Sequence, residues 1–238
     1  MPNHVSAISK NLTQTDAHNK EIRGQIQAVI YDMDRVLIDA QEWHYEALNK
    51  ALELFGYTIS RLDHLTSYDG LPTARKLEML TAERGLPVAL HRYINELKQL
   101  YTMEFVSTLC KPTFVHQYAL SMLKKLGFKQ AVASNSIRNT VEVMMEKSML
   151  SQYLDLKLSN EDVKHGKPSP DIYLKAISDL GLTPDQCLIV EDSPFGIQAA
   201  EASGAHVLVV GDTSDTNFEN IIGRINEINS NYKMAVNQ

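Results

Sequence analysis

Four short apolar runs constrain this chain most: QAVIYDMD at 27–34, KQAVASNS at 129–136, CLIVEDS at 187–193 and HVLVVG at 206–211. Each is rich in Val, Ile, Leu or Ala and lacks the polar alternation of a strand with one wet face. Strands covered on both faces read this way, and they belong to parallel sheets. Helical patterns lie between the runs. RNTVEVMMEKSML brings Val141, Met144, Met145 and Leu150 to one face; PDIYLKAISDLGL opens with Pro170 and Asp171 and stops at Gly181; FGIQAAEASGA opens after Pro194 and stops at Gly204. Strand and helix in alternation predict an α/β fold, a Rossmann-like parallel sheet with helices packed on it.

Residues 40–112 break the alternation. QEWHYEALNKALELFG spaces Trp43, Ala47, Leu48, Ala51, Leu54 and Phe55 along one helical face, and LPTARKLEMLTAERG and ALHRYINELKQLYTMEFVSTL are also helical in period. An all-helical module is therefore expected between the first and second strands. The core is then 25–39 with 113–238, preceded by a polar extension at 1–24. That extension has no apolar signal core, and no run approaches the ~20 apolar residues of a membrane span, so a cytoplasmic location without a membrane partner is expected. The net charge of -6 argues against a nucleic-acid partner, which would favour clustered Lys and Arg. Cys110 and Cys187 stand far apart in apolar settings and read as reduced packing residues.

In open α/β sheets ligands bind beyond the carboxyl ends of the strands. The polar residues of this chain gather there: Asp32 and Asp34 after the first run, Ser134-Asn135-Ser136 after the second, Glu191-Asp192-Ser193 after the third, and Lys167 in the loop before it. Carboxylates this close are tolerable with a cation among them. Asp32, Asp192 and the main-chain carbonyl of residue 34 would make a hard oxygen site suited to Mg²⁺. Ser134 can donate to a phosphate oxygen, Lys167 can neutralise charge, and a carboxylate can itself be the nucleophile. Each piece alone also reads as a turn former, a helix cap or a solvated lysine; their order along separate buried strands is what points to phosphoryl chemistry.

These segments resemble the motifs of the haloacid dehalogenase superfamily, in the branch of β-phosphoglucomutase-like enzymes and small sugar phosphatases. DMDRVLIDA, SNS, GKPSPDIY and VEDSPFGIQAAEASGA are similar to its four motifs, across roughly residues 26–212. The resemblance implies that the helical insert is a cap over the active site. It implies Asp32 as nucleophile, Asp34 as general acid/base, and Ser134 and Lys167 as phosphate ligands, with Asn135 binding phosphate or substrate through its amide. It implies Mg²⁺ held by Asp32, the carbonyl of Asp34 and Asp192, with Glu191 as a further ligand or a supporting partner, and it puts Asp162 near the metal. His44 matches a substrate-side position at the start of the cap. YDGLPTARKLEML is similar to the cap loop that carries specificity, which makes Gly70, Pro72, Thr73 and Arg75 candidates, against the plainer reading of a helix start with proline.

Arg35 stands where the family usually has Gly, and Ala40 where Ser or Thr is common. Arg35 can serve as a contact to an anionic substrate group, lie outward on an ordinary backbone, or impair the site by depressing the pKa of Asp34. The expected activity is a Mg²⁺-dependent phosphatase working through an aspartyl-phosphate, as a monomer, on a small phosphorylated metabolite such as a sugar phosphate. The alternatives are a phosphomutase, against which Ile137 and Arg138 stand where such enzymes tend to have Lys, and an impaired or non-catalytic sugar-phosphate binder.

Overall fold

The computed structural model describes residues 26–236, with side chains described through 232; the 1–24 extension lies outside them. β1 (Ala28–Tyr31) is followed by three insert helices, α1 (Gln41–Glu53), α2 (Thr73–Arg84) and α3 (His91–Leu109). Then come α4 (Phe114–Lys125), β2 (Lys129–Ala133), α5 (Arg138–Lys147), β3 (Leu156–Leu158), α6 (Asp171–Asp179), β4 (Cys187–Glu191), α7 (Pro194–Ala202), β5 (His206–Val209) and α8 (Phe218–Val236). The sheet is parallel in the order β3-β2-β1-β4-β5, with Ile30 in register with Ala131 on one side and Ile189 on the other.

The unalternating runs have a direct explanation. Successive strand side chains point to opposite faces, and both faces are covered. Val29, Tyr31, Val132, Leu188 and Val190 pack with residues of α4, α5 and α8. Ala28, Ile30, Ala131, Ala133, Cys187 and Ile189 pack with residues of α6 and α7. Each large apolar side chain so buried contributes about 1.5–3 kcal/mol, enough in sum to hold acidic strand ends side by side. Both cysteines are buried and free.

Two strand expectations need correcting. β3 carried no signal because it is a three-residue edge strand, LKL, too short for a periodic pattern. The run at 206–211 forms β5, an edge strand that is only partly covered, with Val209 57% exposed.

The insert has its own apolar cluster, built from Leu48, Ala51, Leu52, Ile59, Tyr68, Leu77, Leu80, Leu86 and Ile94. Leu54 is exposed rather than part of that face, because α1 ends at Glu53. Between α1 and α2, a turn at Arg61–Asp63 runs into a π-helical turn at His64–Tyr68, which carries His64 and Tyr68 inward. Trp43 and Ala40 pack instead against the sheet cluster, as do Val106 and Cys110 at the far end of the insert. Both ends of the insert are thereby tied to the sheet, and its helices stand over the strand ends. Among the described residues no helix is long and apolar enough to cross a membrane.

Candidate active site

The chain runs from β1 to β2 and β3 on one side, then crosses to β4 and β5 on the other. The crevice at such a reversal is where sheets of this kind bind ligands. Asp32 stays in the sheet, its N–H donating to the Val190 carbonyl at 3.0 Å. The chain then turns sharply: the N–H groups of Leu37 and Ile38 both donate to the Met33 carbonyl at 2.9 Å, and Arg35 N–H donates to the Ile38 carbonyl at 2.7 Å. Met33, Val36 and Leu37 anchor this turn in the core.

Lys167 holds the crevice floor together. Its buried ammonium donates to Asp32 Oδ1 at 2.5 Å and to Glu191 Oε1 at 2.7 Å, and lies 4.7 Å from the centre of the Tyr173 ring. Burial opposes its charge, but Asp32 and Glu191 outweigh that and raise its pKa. Asp32 is held well above the usual carboxylate range by burial, relieved in part by Lys167 and aggravated by Glu191, Asp34 and Asp192. Glu191 is fully buried with every oxygen engaged. Tyr173 donates to Oε1 at 2.8 Å; Asp192 N–H, Ser193 N–H and Ser193 Oγ–H donate to Oε2 at 2.8, 3.0 and 3.2 Å. A side chain at Gly196 would collide with this carboxylate, so the start of α7 needs glycine there.

Asp34 sits across the crevice. Its Oδ1 lies 3.1 Å from His44 Nε2, and its Oδ2 accepts from Ser136 Oγ at 3.4 Å. Burial pushes its pKa up, but His44, Lys98 and Lys167 overcome this and leave it lowered. Arg35 is not among the charges that lower it, against one of the three readings of that residue. The guanidinium turns the other way: Nε stands 3.5 Å from Asp192 Oδ2 and Nη2 donates to the Gly211 carbonyl at 3.0 Å. Its backbone is not ordinary either, with φ at 61°, the left-handed region that glycine occupies freely.

Other expected residues divide. Ser134 is buried, lines the crevice and accepts from Ser136 N–H at 3.0 Å. The Asn135 amide is already engaged: Oδ1 accepts from Lys167 N–H at 3.0 Å, and Nδ2 faces the carbonyls of Lys167 at 3.3 Å and Gly70 at 3.5 Å. It tethers the lysine loop to the insert. Asp162 is not at the crevice; its carboxylate caps the turn at Ser159 and pairs with Arg138. Thr73, Gly70 and Pro72 line the crevice, whereas Arg75 points to solvent and pairs with Glu78 at 2.9 Å. Arg75 is one of four candidates on this loop; the helix turns the next residue, Lys76, inward instead. Lys76, Lys98 and His64 were missed, and all three line the cleft, whose volume is about 210 Å³.

The donor set suits a divalent cation. Carboxylate oxygens of Asp32, Glu191 and Asp192 all lie within 4.8 Å of one another. Burial, then Glu191, raises Asp192 to about 7. Crowded, partly desolvated carboxylates of this sort are what a hard cation relieves.

A Rossmann-like sheet with a helical insert after its first strand, and an aspartate–lysine–acidic cluster at its switch point, describes a known class of α/β hydrolases. The sequence profile of the haloacid dehalogenase-like hydrolases matches residues 29–210, and the chain belongs to that family. It is 30% identical over 184 residues to a phosphorylated carbohydrates phosphatase of Thermotoga maritima, covering 75% of this chain and 82% of that one. It is 29% identical over 182 residues to a fructose-1-phosphate phosphatase of Escherichia coli, covering 74% and 92%. Among solved structures it is similar to a β-phosphoglucomutase of Clostridium difficile, with a TM-score of 0.73 at 24% identity over 85% of this chain and 98% of that one.

Proposed function

We propose that this protein is a Mg²⁺-dependent phosphatase that hydrolyses a small phosphorylated metabolite, a sugar phosphate or a relative of one, through a phosphorylated Asp32. The observation that carries the reading is the buried contact of Asp32 with Lys167, itself fixed by Glu191, at the end of the central strand. Phosphatases among the relatives support the same reaction class.

Asp32 and Asp192, with the carbonyl of Asp34, would hold the ion. Bound there, it supplies positive charge between the carboxylates and the phosphoryl oxygens. Glu191 positions rather than ligates, because both its oxygens already accept hydrogen bonds. Lys167 lowers the repulsion between Asp32 and an incoming phosphate, and Ser134 offers a hydroxyl to a phosphoryl oxygen. Asp32 Oδ attacks phosphorus as the P–O bond to the alcohol breaks, and Asp34 gives the departing oxygen its proton. In the second step Asp34 takes a proton from water, the water oxygen attacks phosphorus, and the Asp32–phosphate bond breaks. The lowered pKa of Asp34 in the free cleft suits the base role. An anionic phosphoryl group beside it pushes that pKa upward, toward the acid role. His44, bonded to Asp34, keeps the carboxyl aimed across the cleft.

A panel of phosphorylated metabolites assayed with Mg²⁺ and with excess chelator tests this. Phosphate release from at least one small ester, lost in chelator and restored by Mg²⁺, is the expected result. Undiminished release in chelator overturns the metal requirement, and no release from any ester overturns the phosphatase reading.

A further inference from the structure

The chemistry above uses the strand ends and, of the buried cations on the insert, calls only on the charge of Lys98 near Asp34; no contact with substrate has been assigned to any of them. Lys76 of α2 is 8% exposed and lines the cleft, and its ammonium has no hydrogen bond or ion pair among the described residues. Lys98 of α3 is as deeply buried and lines the same cleft; its ammonium meets His44 Nδ1 at 3.2 Å and no carboxylate among the described residues. His64 is 2% exposed, and neither ring nitrogen has a hydrogen-bond partner. The charges of Asp69 and Asp34 reach Lys76, and that of Asp34 reaches Lys98, but among the described residues no carboxylate pairs with either ammonium: Asp69 Oδ1 is 3.7 Å from His64 Nε2, and its Oδ2 accepts from Gln41 at 2.6 Å.

A buried ammonium with no carboxylate in contact is costly, and natural proteins rarely keep one. Here burial lowers Lys98, His64 and His44, and the charge of Lys76 reaches each of them and adds to that effect. Burial brings both lysines to about 8, so at neutral pH they remain protonated. Substrate carrying the missing negative charge would remove the cost on binding.

We propose that Lys76 and Lys98, with His64 beside them, form a second oxyanion subsite on the insert. The substrate then bears an anionic group, a carboxylate or a second phosphate, apart from the phosphoryl group presented to Asp32. The substrate class rests on the phosphatase reading; the subsite does not.

Binding is the readout that separates them. The Asp32→Asn protein in Mg²⁺ is titrated calorimetrically with matched esters: phosphoglycolate against 2-hydroxyethyl phosphate, and propane-1,3-diol bisphosphate against its monophosphate. The member with the second anion binds about ten- to a hundredfold tighter in one or both pairs, and the pair that responds identifies carboxylate or phosphate. Adding Lys76→Met, or Lys98→Met in a separate protein, brings that ratio close to one. Equal binding within both pairs overturns the subsite, as does a ratio that survives both lysine changes. Should no ester in the activity panel release phosphate while the ratio holds, the phosphatase reading falls and the subsite stands. Turnover with a ratio of one gives the reverse. The ratio in the protein with both lysines intact already decides, even if a lysine variant fails to fold.

Discussion

At the strand ends, the buried cation touches its counter-charges: Lys167 contacts both Asp32 and Glu191. Across the same cleft, Lys76 and Lys98 are buried to a similar degree and touch no carboxylate among the described residues. Partnering moves the first lysine's pKa up and burial moves the other two down. The floor is complete without substrate, which suits the catalytic role proposed for it. The roof is incomplete without it, which fits a surface that recognises.

The comparison breaks first at the nucleophile. Asp32→Asn should lower turnover roughly 10⁴-fold or more, the scale on which loss of a nucleophile is felt. Circular dichroism should show the fold retained, since the strand and its hydrogen bond to Val190 do not depend on the carboxylate. Wild-type turnover by this variant rejects the covalent route.

The same substitution made on the two sides should then change stability in opposite directions. Lys167→Met leaves Asp32 and Glu191 buried without their cation and should cost about 3–5 kcal/mol in metal-free protein. Lys76→Met removes a charge that burial disfavours. At pH 7 Lys76 is protonated folded and unfolded, so folding bears the shift from 10.5 to about 8. Its replacement should stabilise by about 1–3 kcal/mol, and the gain should shrink as pH climbs from 8 to 10.5, where the native lysine loses its proton before the unfolded one does. Denaturant melts of both variants at pH 7 and pH 10 read both signs. A destabilised Lys76→Met protein would mean that the roof holds its lysine through a partner, as the floor does.

The two sides also differed in how far the sequence revealed them. Asp32, Ser134, Glu191 and Asp192 each terminate an unbroken apolar run, so the strand that buries them also marks them. Lys76 and Lys98 lie inside helices, where a lysine is ordinarily a solvated face. A signal did exist: Ile94, Lys98, Thr102 and Val106 recur every four residues and all are buried, as are Lys76 and Leu80 in α2. Reading the buried row first, and then asking which cation lies on it, would have selected Lys76 over Arg75. Asp162 misled for a related reason, since an acidic residue just after a strand serves equally well as a cap, and here Ser159 and Arg138 claim it. The direction of the Arg35 side chain had no sequence signal, because it depends on a left-handed backbone and on Gly211, far along the chain.

Arg35 leans from the rim onto the floor, and its removal should give the smallest effect. Two stability contributions oppose each other. Arg35→Gly relieves a left-handed conformation that costs an L-residue about 1–2 kcal/mol, but it frees the unfolded chain by about 0.5–1 kcal/mol and removes the contacts with Asp192 and Gly211. The net change should stay within about 1 kcal/mol. Metal binding is more telling. The guanidinium neutralises part of Asp192, a residue proposed to hold the ion, from a half-exposed position where an ion pair is worth up to about 1 kcal/mol. Freed of it, Asp192 should bind Mg²⁺ more tightly by about two- to fivefold in a calorimetric titration. Weaker binding in Arg35→Gly would reverse the assignment: the arginine would then be what keeps Asp192 aimed into the cleft.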